Sequence, residues 1–426
     1  MRSILNLEGI RIVPSPIGFN WNAPIIVFKS NGKYKTDFDV SKYQITGKTY
    51  YVDVNNGNDS NDGLTLQTAL KTISVALAKS DVDVILINGG LYQKGRGMTN
   101  GSVLTLTRPI SMKALPGQTV IISFNDSATT FTKVSGKTYT YQGSRTGIGR
   151  IFDAKFKDSY GDYQELTKKT SIDEVEATPG SWFDDATYIY VHTSDSRVPD
   201  IDIRPYFRIS PTISLNGFDL YMEGIEVQGG SSVIYSSYNS TPSSNFYAKN
   251  CIFKYSTVEN ICTLKGAYQY LQNCVAARGA LDGFNYHANG AVIPKAIEVS
   301  CVGRHNGTLG DGADNGSTIH DGGTIIRINC ECHHNHGPNF ADSNDNTKSW
   351  NLGCIGHESV TIGTLTQQCD FQACNGVSTG AKIWLDGCKS YGSRYGIGAN
   401  TVYDTVLVRN VKTSSPNTIL GTKLTY

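Results

Sequence analysis

The sequence predicts an all-β protein built as a solenoid of stacked parallel strands, and three observations predict it. The first is composition. The 426 residues include 44 glycines and 24 tyrosines and are 39% hydrophobic, the balance of a turn-rich β chain with a sizeable core. The second is a repeat. Seven of the ten cysteines stand in similar short strings: KNCIF at Cys251, QNCVA at Cys274, VSCVG at Cys301, INCEC at Cys330, LGCIG at Cys354, QQCDF at Cys369 and DGCKS at Cys388. EGIEV at Gly224 and VRNVK at Asn410 flank the series. The third is alternation. Ile297-Val299-Cys301, Ile326-Ile328-Cys330 and Trp350-Leu352-Cys354 repeat with period two, the mark of a strand with one buried face.

Intervals of 15 to 29 residues between the cysteine strings hold one such strand between glycine and asparagine turns and leave no room for long helices. A coil of this size cannot bury its apolar face alone and must stack on its neighbours, which sets equivalent positions about 4.8 Å apart. The cysteines then form an inward ladder of small apolar groups. A disulfide framework is not needed in so long a chain.

Residues 1–48 carry no recognisable motif and are assigned as an attachment or contact segment. Residues 49–135 open the solenoid. Within them, YYVDVNNGNDSNDGLTLQTALKTISVALAKSDVDVILINGGLYQK (50–94) combines Tyr51-Val52, the Gly57-Asn58-Asp59 turn, Asp62-Gly63, and Ala69 followed by Lys71-Thr72-Ile73. This stretch resembles the opening segment of the pectate-lyase-like right-handed parallel β-helix proteins. The resemblance implies a single-stranded right-handed parallel β-helix, with a short helix (Ile73, Ala76, Leu77) capping the otherwise open end. GNDSNDG is read as Asx-turns, because its glycine comes one place too early for an EF-hand.

Residues 136–205 are expected to form a β-rich insertion. SIDEVEATPGSWFDDATYIYVHTSD resembles an excursion of β-helix glycan-active proteins, including phage tailspikes, and its His192 is assigned a structural role. Residues 206–412 supply the main coils and the candidate site, and residues 413–426 a C-terminal tail.

Formal net charge is +1 with no run of Lys or Arg, which argues against nucleic acid or a membrane surface as partner. The N-terminal residues show no apolar stretch typical of a secretory signal, and eighteen apolar residues never occur in a row.

Seven of the eight histidines fall between His287 and His357, together with Asp282, Asp311, Asp314, Asp321, Asp342 and Asp345. DGFNYH (282–287) and NGSTIH (315–320) share one frame, and GPNFAD (337–342) follows one coil later. The frame stacks His287, His320 and Asp342 in one column and Asp282 and Asn315 in another, with Asp314 beside it. A third column runs Arg304, His333 and His357, with His305 and His334 alongside, and Arg327 is placed on the outward face of its strand.

Glycoside hydrolysis needs two carboxyls about 5–9.5 Å apart, a span that neighbouring coils provide. Asp282, Asp314 and Asp342 are therefore the candidate acid and base, with His320 positioning the proton. His287, Arg304, Asp321, Arg327, His333 and His357 are the candidate substrate contacts. Elimination on a uronic acid instead needs a cation and a base, roles open to Arg304 or Arg327 with His320 or His333. Turn-forming is the competing role for each aspartate.

HHNH (333–336) is set aside as a zinc site, because His333 and His334 would point to opposite faces of a continuing strand. No metal or cofactor is expected. The sequence thus points to degradation of an extracellular or capsular polysaccharide, by hydrolysis first and β-elimination second; a non-catalytic glycan-binding or structural β-helix is the other class. The tailspike resemblance implies a homotrimer, an extracellular or virion setting, and virion attachment through residues 1–48.

Overall fold

A computed structural model describes residues 10–99, 103–126, 129–236, 243–307, 314–360 and 368–426. Asp311 lies outside them. Short strands recur along three walls in a fixed order. Lys295–Val299 stands in the first wall, Val302–Arg304 in the second and Ser317–Ile319 in the third. Thr324–Ile328 then returns beside Lys295–Val299, one level higher. Among the described residues the first wall has twelve parallel strands, from Thr49–Val52 to Thr422–Thr425. The third has ten, from Leu104–Thr105 to Thr418–Ile419. The recurring order of long parallel sheets is that of the expected right-handed parallel β-helix.

One residue makes the corner between the first and second walls. Asn250, Asn273, Ser300, Asn329, Gly353 and Gly387 hold φ between 52° and 65°, the left-handed region that asparagine and glycine enter at low cost. The residue after each is a cysteine: Cys251, Cys274, Cys301, Cys330, Cys354 and Cys388. All ten cysteines are free and buried, so the ladder is apolar packing. Cys369 does not belong to this series. It begins the third-wall strand Cys369–Cys374, which explains why two short intervals stood where one coil was expected.

The corner also resets the parity of the chain. Ile297, Ile326, Ile328, Trp350 and Leu352 face outward, while Ala296, Ile325 and the cysteines join the interior core. The outward apolar residues are buried because residues 10–48 run as a strap along the outside of the first wall. Phe19 packs on Trp350 and Trp384 at ring distances of 5.9 and 5.7 Å. Tyr43 stacks on Tyr247 at 4.8 Å, and the Ile45 N–H donates to Ser111 Oγ. The strap carries its own hairpin sheet of Ile10–Ile12, Val27–Ser30 and Lys33–Thr36.

The helix Ile73–Leu77 buries Ile73, Ala76 and Leu77 and packs on strands Thr49–Val52 and Gly97–Thr99. Asn58 and Asp62 accept from the Ser60 and Leu64 N–H groups at 3.0 Å each, the Asx-turns expected of GNDSNDG.

The insertion leaves the second wall after Val120–Asp126. Its strands Ile148–Lys157 and Ile203–Phe207 pair antiparallel, and a five-stranded sheet with the helix Ile172–Ala177 sits beyond them. Buried His192 bonds the Val175 carbonyl and Ser196 Oγ, each at 2.9 Å, as befits a structural residue.

Candidate active site

The third wall carries a cleft of about 220 Å³ whose lining includes Asp282, Asn285, His287, Asp314, Asn315 and His320. Its floor comes from strands Phe284–His287, Ser317–Ile319 and Phe340–Ser343, which pair in parallel. Phe284, Tyr286, Ile319 and Phe340 point into the core, so Asn285, His287, Thr318 and His320 face the cleft by the strand's period of two. Gly283 and Gly316 precede two of these strands. A Cβ at Gly283 would fall 2.5 Å from the Gly316 carbonyl oxygen, so the coils approach there only without side chains.

Asp282 is 7% exposed. Its Oδ1 accepts from the Asn315 N–H at 2.5 Å and its Oδ2 from the Asn285 amide. Burial raises its pKa to about 6, against the opposing pull of those hydrogen bonds, because desolvation penalises the charged form. The expected Asp282–Asn315 column is therefore present, and Asp314 stands beside it, also buried. The rings of His287 and His320 stack at 4.2 Å and 6°. Burial, then the neighbouring His287, lowers the pKa of His320 to about 4. His287 Nδ1 lies 3.0 Å from Asp321 Oδ2, and this contact holds Asp321 below the usual carboxylate range.

Asp342 does not complete the histidine column. The register aligns Tyr286, Ile319 and Asp342, so Ser343 is the residue at the level of His320. The counterpart of Gly283 and Gly316 is Asn339, not Pro338, and a slip of one residue moves a side chain to the other face. Asp342 lies inside the solenoid, 2.9 Å from Arg327 Nη1.

Arg327 is likewise inward and 0% exposed, contrary to its outward assignment. It lies 3.8 Å from Glu298 and donates to Ser317 Oγ at 2.9 Å and Asn351 Oδ1 at 3.3 Å. Glu298 Oε1 accepts from the Tyr286 hydroxyl at 2.8 Å and Ser317 Oγ at 2.7 Å. Burial raises its pKa to about 7, and burial also raises that of Asp342 while Arg327 opposes it. These side chains are buried and none of them lines the third-wall cleft.

Arg304, His333 and His357 do form a column, with Tyr391 as its next member, but on the outer face of the second wall. None of them lines the third-wall cleft. Arg304 is buried against Asp162 of the insertion, with one contact at 3.1 Å and a closer one beside it, and its guanidinium lies 4.8 Å from the Tyr160 ring centre. It ties the insertion to the coils. Burial, then His357, lowers the His333 pKa to about 4. Burial pushes His357 down, but Glu331 at 3.0 Å and Glu358 at 2.9 Å outweigh it and raise its pKa. His333 and His334 do not point apart. The strand ends at His333, His334 turns left-handed at φ 55°, and their Nδ1 atoms stand 2.8 Å apart.

Sequence reasoning missed Asn285, Glu298 and Asp370. Asn285 was within the DGFNYH frame, whose strand alternation marks it as a neighbour of His287. Glu298 alternates inward with Ala296, a parity hidden by the apolar residues on both faces. Asp370 is buried, accepts from Asn339, Ser390 and Ser393, and burial raises its pKa to about 6. Asp345 closes a turn, taking the N–H groups of Val377, Ser378, Thr379 and Gly380. A larger cleft of about 690 Å³ lies between the strap hairpin and the coils, but Lys29, Lys33, Lys35 and Lys389 line it with no carboxyl or imidazole, so it lacks an acid–base pair.

Neither a family model nor a curated protein matches the sequence. Solved structures do match the fold. XylC in its complex with xylose is 12% identical with a TM-score of 0.53, over 87% of this chain and 66% of that one. The chain has a right-handed parallel β-helix fold. It spans just under two thirds of the XylC chain. Pectate lyase Pel9A is 12% identical over 90% of this chain and 80% of that one, with a TM-score of 0.43. The Siphovirus 9NA tailspike receptor-binding domain is 13% identical over 88% and 76%, with a TM-score of 0.29. Among the described residues no helix is long and apolar enough to cross a membrane.

Proposed function

We propose that the third-wall cleft hydrolyses glycosidic bonds of an extracellular or capsular polysaccharide. The observation that carries this reading is Asp282, a cleft carboxyl whose burial raises its pKa to about 6. Below that pH it holds a proton to give to the glycosidic oxygen as the C–O bond breaks. Asp314, on the same cleft, is the second carboxyl, acting on water as base or on the anomeric carbon as nucleophile. The separation of the two in the complex sets the stereochemistry, about 5–5.5 Å for retention and about 6.5–9.5 Å for inversion. His287 and His320 present a flat stacked edge along the cleft, where they position sugar hydroxyls.

Elimination is the weaker reading, because the two arginines assigned to a uronate carboxylate are engaged elsewhere, Arg304 by Asp162 and Arg327 by Asp342. The tailspike-like homotrimer, its virion setting and attachment through residues 1–48 rest on the sequence resemblance. The seating of residues 10–48 on the chain's own first wall weighs against attachment through them. Sedimentation separates a trimer from a 46.3 kDa monomer.

Incubation with a panel of neutral and acidic capsular polysaccharides tests the activity. New reducing ends without the ultraviolet absorbance of an unsaturated uronate are expected. That absorbance would establish the lyase instead, and intact polymer across the panel would leave a glycan-binding β-helix.

A further inference from the structure

The histidine column of the second wall is separate from the cleft and has its own chemistry. One oxygen of Glu331 and one ring nitrogen each of His333 and His357 lie within 4.8 Å of one another. His357 Nε2 stands 3.0 Å from Glu331 Oε1, while its Nδ1 is held by Glu358 at 2.9 Å. His333 Nδ1 faces His334 Nδ1 at 2.8 Å, which leaves Nε2 for another partner. We propose that Glu331, His333 and His357 bind one zinc-class divalent transition-metal ion on the outer face of the second wall.

Three features support the assignment. Two imidazoles and a carboxylate are the donor set of a zinc-type ion, and three protein ligands leave a coordination position for an oxygen of water or of a bound sugar. Ligand atoms around a tetrahedral ion at about 2.0–2.1 Å stand about 3.3 Å apart, close to the observed Glu331–His357 spacing. The Glu358 contact on the far nitrogen of His357 is the carboxylate–histidine arrangement that fixes a ligating ring and raises its basicity.

The ligands are also ordered in advance. The His333 and His357 rings stack at 4.7 Å, His357 stacks on Tyr391 at 4.7 Å, and Tyr160 of the insertion packs on His333 at 5.3 Å. Both histidines are buried, whereas the Glu331 side chain is 43% exposed, which leaves an ion open to solvent on one side. An ion here would join the coils to the insertion through the ring packing of Tyr160.

The test uses the full chain without a histidine tag, stripped with chelator, and needs no carbohydrate, so its outcome is independent of the activity proposed for the cleft. Titration with Co²⁺ read by visible absorption, and with Zn²⁺ by calorimetry, is expected to saturate at one ion per chain. Zn²⁺ should also raise the melting temperature. His333→Ala and His357→Ala should each lose saturable binding, and Glu358→Gln should weaken it about 10- to 100-fold. Glu331→Gln keeps the shape and the fold, and should weaken binding even if a histidine variant fails to fold. No saturable binding by the wild type, or wild-type affinity in Glu331→Gln, overturns the proposal.

Discussion

Asp282 and Asp342 are both buried aspartates of the third wall, two coils apart, and they differ in the face they occupy. Asp282 lines a cleft and accepts from two amides, the Asn315 backbone and the Asn285 side chain. Asp342 faces the interior and is met by a guanidinium. Burial raises the pKa of both, so a perturbed carboxyl by itself does not mark a site. The partner does. An uncharged partner leaves a carboxyl able to exchange a proton with a ligand, whereas a buried cation commits it to holding the fold together.

The largest expected effect comes from breaking the interior side. Arg327→Met removes the cation between Glu298 and Asp342 and should cost about 3–5 kcal/mol of stability, read by urea unfolding, because two buried acids lose their compensation. Replacing all three residues by apolar ones of similar volume should restore most of that loss. The cleft side should behave in the opposite way. Asp282→Asn keeps the shape and one acceptor oxygen, so below about pH 4, where Asp282 is protonated, stability should move by about 1 kcal/mol or less, and above about pH 6 the variant should be the more stable because it buries no charge. Depolymerase activity should fall by about 10²-fold or more. Equal losses of stability in the two variants would erase the distinction.

Proton linkage separates the regions next. Asp282 titrates near 3.8 when unfolded and near 6 when folded. The folded state therefore binds more protons in that window, and stability falls as pH rises through it. The contribution is full below about pH 4 and gone above about pH 6, amounting to about 3 kcal/mol. Glu298, raised from 4.5 to about 7, shifts the same loss to higher pH. Unfolding measured from pH 4 to 8 should show Asp282→Asn flattening the lower part of the slope and Glu298→Gln the upper part. Activity should decline above about pH 6 only where Asp282 is present.

The fold was legible because its signals are local. Left-handed asparagines and glycines before a cysteine mark most of the corners, and the opening segment with its cap is a contiguous string. The candidate site was legible in part. Asp282, Asp314, His287 and His320 meet because DGFNYH and NGSTIH each place a glycine one residue before the strand. GPNFAD broke the frame because Asn339 takes the place of that glycine, and one residue of slip sent Asp342 inward. Arg327 was misplaced for a different reason. Alternation shows which residues share a face, but a distant strap buries the outward face at Ile326 and Ile328, so hydrophobicity could not say which face was the core. The second-wall histidines failed by conformation: a left-handed His334 put two neighbours on one side.

The smallest expected effect probes how far the cleft depends on its rim. Asp321 holds His287 at 3.0 Å from a side chain that is 41% exposed, and it also accepts from the Ala288 N–H at 3.2 Å. A half-exposed pair of this kind contributes about 0–1 kcal/mol, so Asp321→Asn should lower kcat/KM by about fivefold at most. Asparagine keeps an acceptor for Ala288, which confines the change to the charge beside His287. If His287 orients sugar hydroxyls, the loss should appear in KM with kcat nearly unchanged, because binding weakens alike in ground and transition states. A fall in kcat as large as that of Asp282→Asn would move the proton chemistry from the aspartate column to the histidine column.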